Sequence, residues 1–263
     1  MLNNILQIPN DCIINKPIFK TLLNENANLN TRNKKILTDY IQKIKWYGRF
    51  AEDNTRIKPY IDNKKEYLEV EIITIQLKEE NLIKENIDNE IIIKPEQKIN
   101  RIIDIIFRFI PYPQLIIIKY KNFIKLNVAN IRNHDVDPTK ITIDETIKTP
   151  WINTENLEEI DKTFFENIQY ANHNMTNMHS FYKTYIDSIT HYNASKRVDK
   201  NVKLEYADIK IIEDEINILE KEIKKLRQKL KKETQASKEV KLNNQIREKR
   251  IKLKKLEKQL KGD

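Results

Sequence analysis

Hydrophobic and polar positions change period several times along the chain, and each change marks an element. In residues 31–43, TRNKKILTDYIQK, the side chains Ile36, Leu37, Tyr40 and Ile41 fall on one helical stripe behind a Thr31 cap, which predicts a helix. KWYGRFAED then reads as extended chain around Trp46, Tyr47 and Phe50, closed by a polar turn through Pro59 and Asp62-Asn63. EYLEVEIITIQLK (66–78) alternates Leu68, Val70 and Ile72 against Glu69 and Glu71 before turning apolar on both faces. That pattern predicts a strand running from a sheet margin into the core. From Lys98 to Ile110, isoleucines at positions 99, 102, 103, 106 and 110 keep helical spacing, and Pro111 cannot continue the ladder. QLIIIKY (114–120) predicts a buried strand and FIKLNVANI (123–131) its hairpin partner.

Residues 133–153 have turn-forming composition and read as a connector with one short strand at Ile141–Ile143. Phe164, Ile168, Ala171, Met175, Met178, Tyr182, Tyr185, Ile189 and Tyr192 are then spaced alternately by four and three, a heptad seam that predicts one helix from about 155 to 195. The same alternation links Ile212, Ile216, Leu219, Ile223, Leu226 and Leu230. After TQASKEV it resumes through Leu242, Ile246, Leu253, Leu256 and Leu260, with Lys249 at the one polar position. Two helices of similar length with a weak joint predict an antiparallel hairpin, in which acidic Glu213 to Glu222 lie near basic Arg247 to Lys258. The expected architecture is an α/β protein: a mixed α+β core layer over 1–150, a heptad-patterned helix over 151–199, and a basic helical hairpin or coiled coil over 200–263.

Charge sharpens this division. The net charge of the chain is +9, yet residues 200–263 hold 20 Lys+Arg against 12 Asp+Glu, leaving +1 for the first 199. Within the tail, 223–263 carries 16 basic and 5 acidic residues. Such polarity suits self-pairing through the seams or a polyanionic partner, with Lys224, Lys225, Arg227, Lys229, Lys231, Lys232 and Lys241 as the candidate nucleic-acid contacts.

Composition removes several chemistries. Gly48 and Gly262 are the only glycines, so no phosphate-cradling or dinucleotide loop exists. Cys12 is the single cysteine and reads as a small buried hydrophobe. His134, His173, His179 and His191 lack zinc spacing, and no serine sits in a nucleophile-elbow setting, so no resident metal or cofactor is expected. The segment MLNNILQIPND has no basic n-region, and no run of about 18 apolar residues occurs, which leads to the expectation of a cytoplasmic protein without a membrane partner.

One constellation suggests an enzyme. Metal-dependent nucleases of the PD-(D/E)xK type place an Asp and a Glu or Gln, with a Lys two residues on, on neighbouring strands, where they hold Mg²⁺ and activate water. Asp62, Glu71, Gln76 and Lys78 offer a version of that set.

Taken together, Lys16-Pro17-Ile18-Phe19-Lys20, Ile44 to Phe50 followed by Asn54-Thr55, Glu71-Ile72 before Gln76-Leu77-Lys78, Ile110-Pro111-Tyr112-Pro113, and Asn127-Val128-Ala129 ending at Arg132 resemble the bacterial and archaeal domain of unknown function family 4391 over roughly residues 1–195. A coiled tail is also typical of it. The resemblance implies a place beside helicases and DNA methyltransferases in restriction-like antiphage defence loci. Arg49 and Arg132 stand where lysine is expected, which keeps an anion-contacting charge. The leading expectation is a non-enzymatic accessory subunit of such a complex, docking a helicase, a methyltransferase or the DNA backbone through its tail. The alternatives are a Mg²⁺-dependent nuclease using Asp62, Gln76 and Lys78, and a structural coiled-coil protein that makes no nucleic-acid contact.

Overall fold

A computed structural model describes residues 2–26, 29–87, 90–137 and 141–262. The chain divides into two compact units, residues 1–189 and 190–263.

The first unit opens with helix α1 (Leu2–Leu6), one helical turn at Asn10–Cys12, strand β1 (Ile13–Ile18) and helices α2 (Lys20–Asn26) and α3 (Thr31–Tyr40). Strand β2 (Ile41–Ala51) passes through the single turn α4 (Glu52–Thr55) to the small hairpin β3 (Tyr60–Ile61) and β4 (Glu66–Tyr67), and then to β5 (Glu69–Leu77). The ribbon β6 (Ile83–Ile87) and β7 (Glu90–Lys94) precedes α5 (Glu96–Phe109), followed by β8 (Gln114–Tyr120), β9 (Phe123–Asn133), β10 (Ile141–Lys148) and β11 (Ile152–Asn153). Helix α6 (Glu159–Asn167), a turn at Tyr170–Asn172 and helix α7 (Met178–Val198) come next; the division at residue 189 falls within α7.

Among the described residues the main sheet has seven strands in the order β1-β2-β5-β8-β9-β10, with β11 paired to β9. Every neighbouring pair is antiparallel except β5 and β8, which run parallel because α5 lies between them in the chain. A parallel pair needs such a crossover. Val70, Ile72, Ile73, Ile75, Ile116, Ile117 and Ile118 are fully or almost fully buried, as central strands covered on both faces require. Lys125, whose pairing with Ile118 sets its face, meets Glu96 of α5 at 3.6 Å. The opposite face carries Phe50, whose ring lies 4.8 Å from Phe181 of α7. Tyr182 fixes α7 further: its hydroxyl accepts the Ala129 N–H at 2.9 Å and donates to the Gln114 carbonyl at 2.9 Å.

Three sequence expectations need correction. The helix predicted over 155–195 is two helices, α6 and α7, separated by residues 168–177. The cause is local hydrogen bonding by asparagine. Asn172 donates to the Glu166 carbonyl at 2.7 Å, Asn174 accepts from Thr176 N–H at 3.0 Å, and Asn177 caps α7 by accepting from Ser180 N–H at 2.9 Å. Second, the connector over 133–153 contains an edge strand, β10, that runs on from the predicted Ile141–Ile143 to Lys148. Its register shifts between Ile143 and Glu145, a bulge at the polar run Asp144-Glu145-Thr146 that interrupts the apolar alternation. Third, the helix predicted to reach residue 43 stops at Tyr40, and Ile41 begins β2 opposite Leu77.

In the second unit, α8 (Tyr206–Leu230) and α9 (Ala236–Lys261) pair antiparallel across a short turn. Ile209 and Ile216, early in α8, pack with Leu260, late in α9, together with Ala194 and Val198. The predicted seam is visible in the burial: Ile216, Ile223, Ile246 and Leu260 are buried. Lys249, its polar position, is half-buried and reaches Glu222 at 2.6 Å.

Candidate functional site

The seven cations singled out from the sequence cluster around the turn between α8 and α9. All are exposed, and none of them forms an ion pair. Four acids of α8 form ion pairs with other cations of the same unit, Asp214 among them with Lys210 at 3.2 Å. Arg197 binds Glu213 at 3.1 Å and Glu220 at 2.7 Å, and Lys249 takes Glu222. Glu233, in the turn itself, accepts the N–H groups of Thr234 and Gln235, both at 3.1 Å. Arg227 and Lys229 occupy the last turn of α8, where positive charge also favours the helix dipole.

The residues considered for a nuclease centre are not brought together. Asp62 closes the β3–β4 turn, accepting Lys64 and Lys65 N–H at 2.7 Å and the Tyr60 hydroxyl at 2.8 Å, and these hydrogen bonds hold its carboxyl below the usual range. That turn precedes β5, whereas Gln76 lies near the other end, roughly 20 Å along the strand at the usual rise per residue. Glu71 and Gln76 are an odd number of residues apart and face opposite sides of the sheet. Glu71 is buried against Trp46, whose indole N–H it accepts, and desolvation pushes its carboxyl up to about 8. Lys78 lies beyond the end of β5. Among the described residues no group of three His, Cys, Asp or Glu is placed to hold a metal ion. His173 is buried, with its ring nitrogens 3.0 Å from the Phe181 carbonyl and 3.3 Å from that of Ile168. Arg49 is taken by Glu69 at 2.5 Å and Asp53 at 3.1 Å, and Arg132 by Asp135 at 2.7 Å and Asp144 at 3.1 Å, so both arginines serve the chain's own acids.

Gln76 does open into a cleft, but one of another character. Register places Lys43 opposite Gln76, Lys45 opposite Thr74, and Gln76 opposite Lys119, so β2, β5 and β8 present these side chains on one face. The register shift between Trp46 and Gly48 adds Tyr47 to the same wall. Leu2 and Asn3 of α1 and Asn15 of β1 complete it. Asn15 sits at an irregularity of β1 with φ of 51°, a left-handed conformation that asparagine tolerates, and its amide oxygen accepts the Lys45 ammonium at 2.6 Å. Gly48 lets the N-terminal segment cross β2: a Cβ there would stand 3.0 Å from the Cys12 carbonyl and 3.1 Å from Ile8. None of the residues lining the cleft is acidic. Lys119 is half-buried, and its ammonium is pushed below the ordinary lysine value by burial and then by Lys45. Divalent metal binding needs carboxylates where this cleft has ammonium groups.

Sequence reasoning picked out Gln76 but missed Lys43, Lys45 and Lys119. The signal that could have found them is the lysine at alternate positions 43 and 45 of a strand, which was partly read as helix.

The family model described as Domain of unknown function (DUF4391) matches residues 6–253. The chain belongs to this family. The match covers both units, so the DUF4391 domain includes the sheet and most of the helical hairpin. No curated protein and no solved structure matches the chain. No helix among the described residues is long and apolar enough to cross a membrane.

Proposed function

We propose that this DUF4391 protein is a non-enzymatic subunit of a DNA-directed defence complex, gripping the phosphate backbone with the tip of its helical hairpin while a helicase or methyltransferase supplies the chemistry. The supporting observation is the distribution of cations in α8 and α9. The acids of α8 all lie between Asp208 and Glu222, and Glu213, Glu220 and Glu222 are held by Arg197 and Lys249. The cations from Lys224 to Lys232, with Lys241, have no such partners and are exposed. Exposed cations at the facing ends of two helices and in the turn between them neutralise phosphates and release condensed cations, which gives affinity without base specificity.

Fluorescence anisotropy of labelled duplex DNA with the full chain, across a salt series, tests this. The expected slope of log K against log salt is negative and independent of sequence. Changing Lys229, Lys231, Lys232 and Lys241 to Gln keeps helix propensity and should flatten the slope by roughly 0.9 for each lost phosphate contact. Unchanged affinity and slope in that variant would transfer the hairpin to protein docking or self-packing.

A further inference from the structure

The geometry points to the cleft of Lys43, Lys45 and Lys119, on the face of the sheet that also carries Phe50, as a binding site for a nucleotide phosphate, carried either by a free nucleotide or by a nucleic-acid strand end. This site belongs to the first unit and is independent of the hairpin tip. Three lysines converge on a cleft of about 370 Å³, within the size range of small-ligand sites, and no carboxylate lines it. Four other cations of the sheet find the chain's own acids: Arg49 with Glu69, Lys125 and Lys148 with Glu96, and Arg132 with Asp144. Lys45 instead has only the neutral Asn15 amide, and Lys43 and Lys119 have no ion pair. Gathering like charges on a half-buried sheet face costs stability, and an anion entering the cleft would reverse that cost.

The remaining walls suit a phosphate ester better than a simple halide or carboxylate. Thr74, Gln76, Asn15 and Tyr47 supply neutral hydroxyl and amide groups beside the cations. Burial raises the Tyr47 phenol above its ordinary value, so it remains a neutral donor with an aromatic ring available to a base. Because the side chains stand on three hydrogen-bonded strands, their spacing is set by the sheet and little ordering is required when a ligand arrives.

The test is calorimetric titration of the full chain with AMP, ATP, inorganic phosphate and a short single-stranded oligonucleotide with or without a 5′-phosphate, alongside thermal melting. At least one nucleotide probe should bind and raise the melting temperature. Lys45→Gln and Lys119→Gln should each weaken that binding by about tenfold or more, as expected for loss of a charged hydrogen-bond donor. Lys43→Gln, at an exposed position, provides a variant with little risk to folding. Lys34→Gln, an equal loss of charge on the exposed side of α3, should leave binding unchanged, as should the hairpin variant. Tighter binding of the 5′-phosphorylated oligonucleotide than of AMP would identify a strand end as the source; the reverse order would identify a free nucleotide. Absence of binding by every probe, or binding unaffected by the cleft substitutions in folded protein, overturns the proposal.

Discussion

Glu71 and Gln76 show how one strand gives its side chains two environments. Alternation turns Gln76 toward the cationic cleft and Glu71 into the interior, where it accepts the Trp46 indole N–H and contacts Glu69, itself held by Arg49. Desolvation, with Glu69 adding to it, pushes the Glu71 carboxyl from an ordinary 4.5 up to about 8, so the group is protonated in the folded protein at neutral pH. Because the folded value is raised, the stability linked to this proton is fully present below about pH 4.5 and is lost as pH rises through 8. Glu71→Gln mimics the protonated form, with an oxygen for Trp46 and an N–H for Glu69. Its unfolding free energy should therefore match that of the wild type near pH 4.5 and exceed it increasingly toward pH 8.5, by about 2 kcal/mol or more. Parallel melting profiles at all pH values would show that Glu71 is ionised in the fold. The sequence exposed the alternation but not this chemistry, because Trp46 and Arg49 reach Glu71 only through the pairing of β2 with β5.

Hydrophobic periodicity served best in the elements whose burial is one-sided and regular. Helix α5 and strand β8 appear within two residues of their expected limits, and the seam of α8 and α9 was assigned from spacing alone. Within α8, Ile216 is fully buried with Ile209 and Leu260, whereas Ile218 is 57% exposed. Ile216→Ala should cost about 3 kcal/mol by leaving a cavity between the helices, while Ile218→Ala should change stability by less than about 0.5 kcal/mol. Chemical denaturation followed by helical circular dichroism would separate them, and equal effects would mean that α8 is rotated from this seam. Periodicity misled where local hydrogen bonding competes with it. The heptad positions from Phe164 to Met178 keep perfect spacing, yet Asn172, Asn174 and Asn177 satisfy backbone groups locally and end one helix before the next begins. β10 exceeds its expected length because the polar run Asp144-Glu145-Thr146, where the ladder bulges, interrupts the apolar alternation between Ile143 and Ile147.

At the scale of the molecule, the buried aromatic contacts Phe50–Phe181 and Tyr67–Tyr182, together with the sheet, lie within the first unit. A chain ending at residue 199 should consequently retain a single cooperative thermal transition, and its loss would show that the hairpin completes the core. The sequence by itself determined the fold class, the apolar strands and helices, the division into a nearly neutral part and a basic helical hairpin, and the absence of glycine-rich phosphate loops. These depend on local period, composition and charge, which are properties of short stretches. Only the tertiary structure decided which polar residues meet. Strand order and register put Lys43, Lys45 and Lys119 on one face from three separate segments, and left Asp62, Glu71 and Gln76 apart. The physical reason is that a one-residue change of register or a single bulge moves a side chain to the other face of a sheet, and the pairing that fixes it joins residues far apart in the chain.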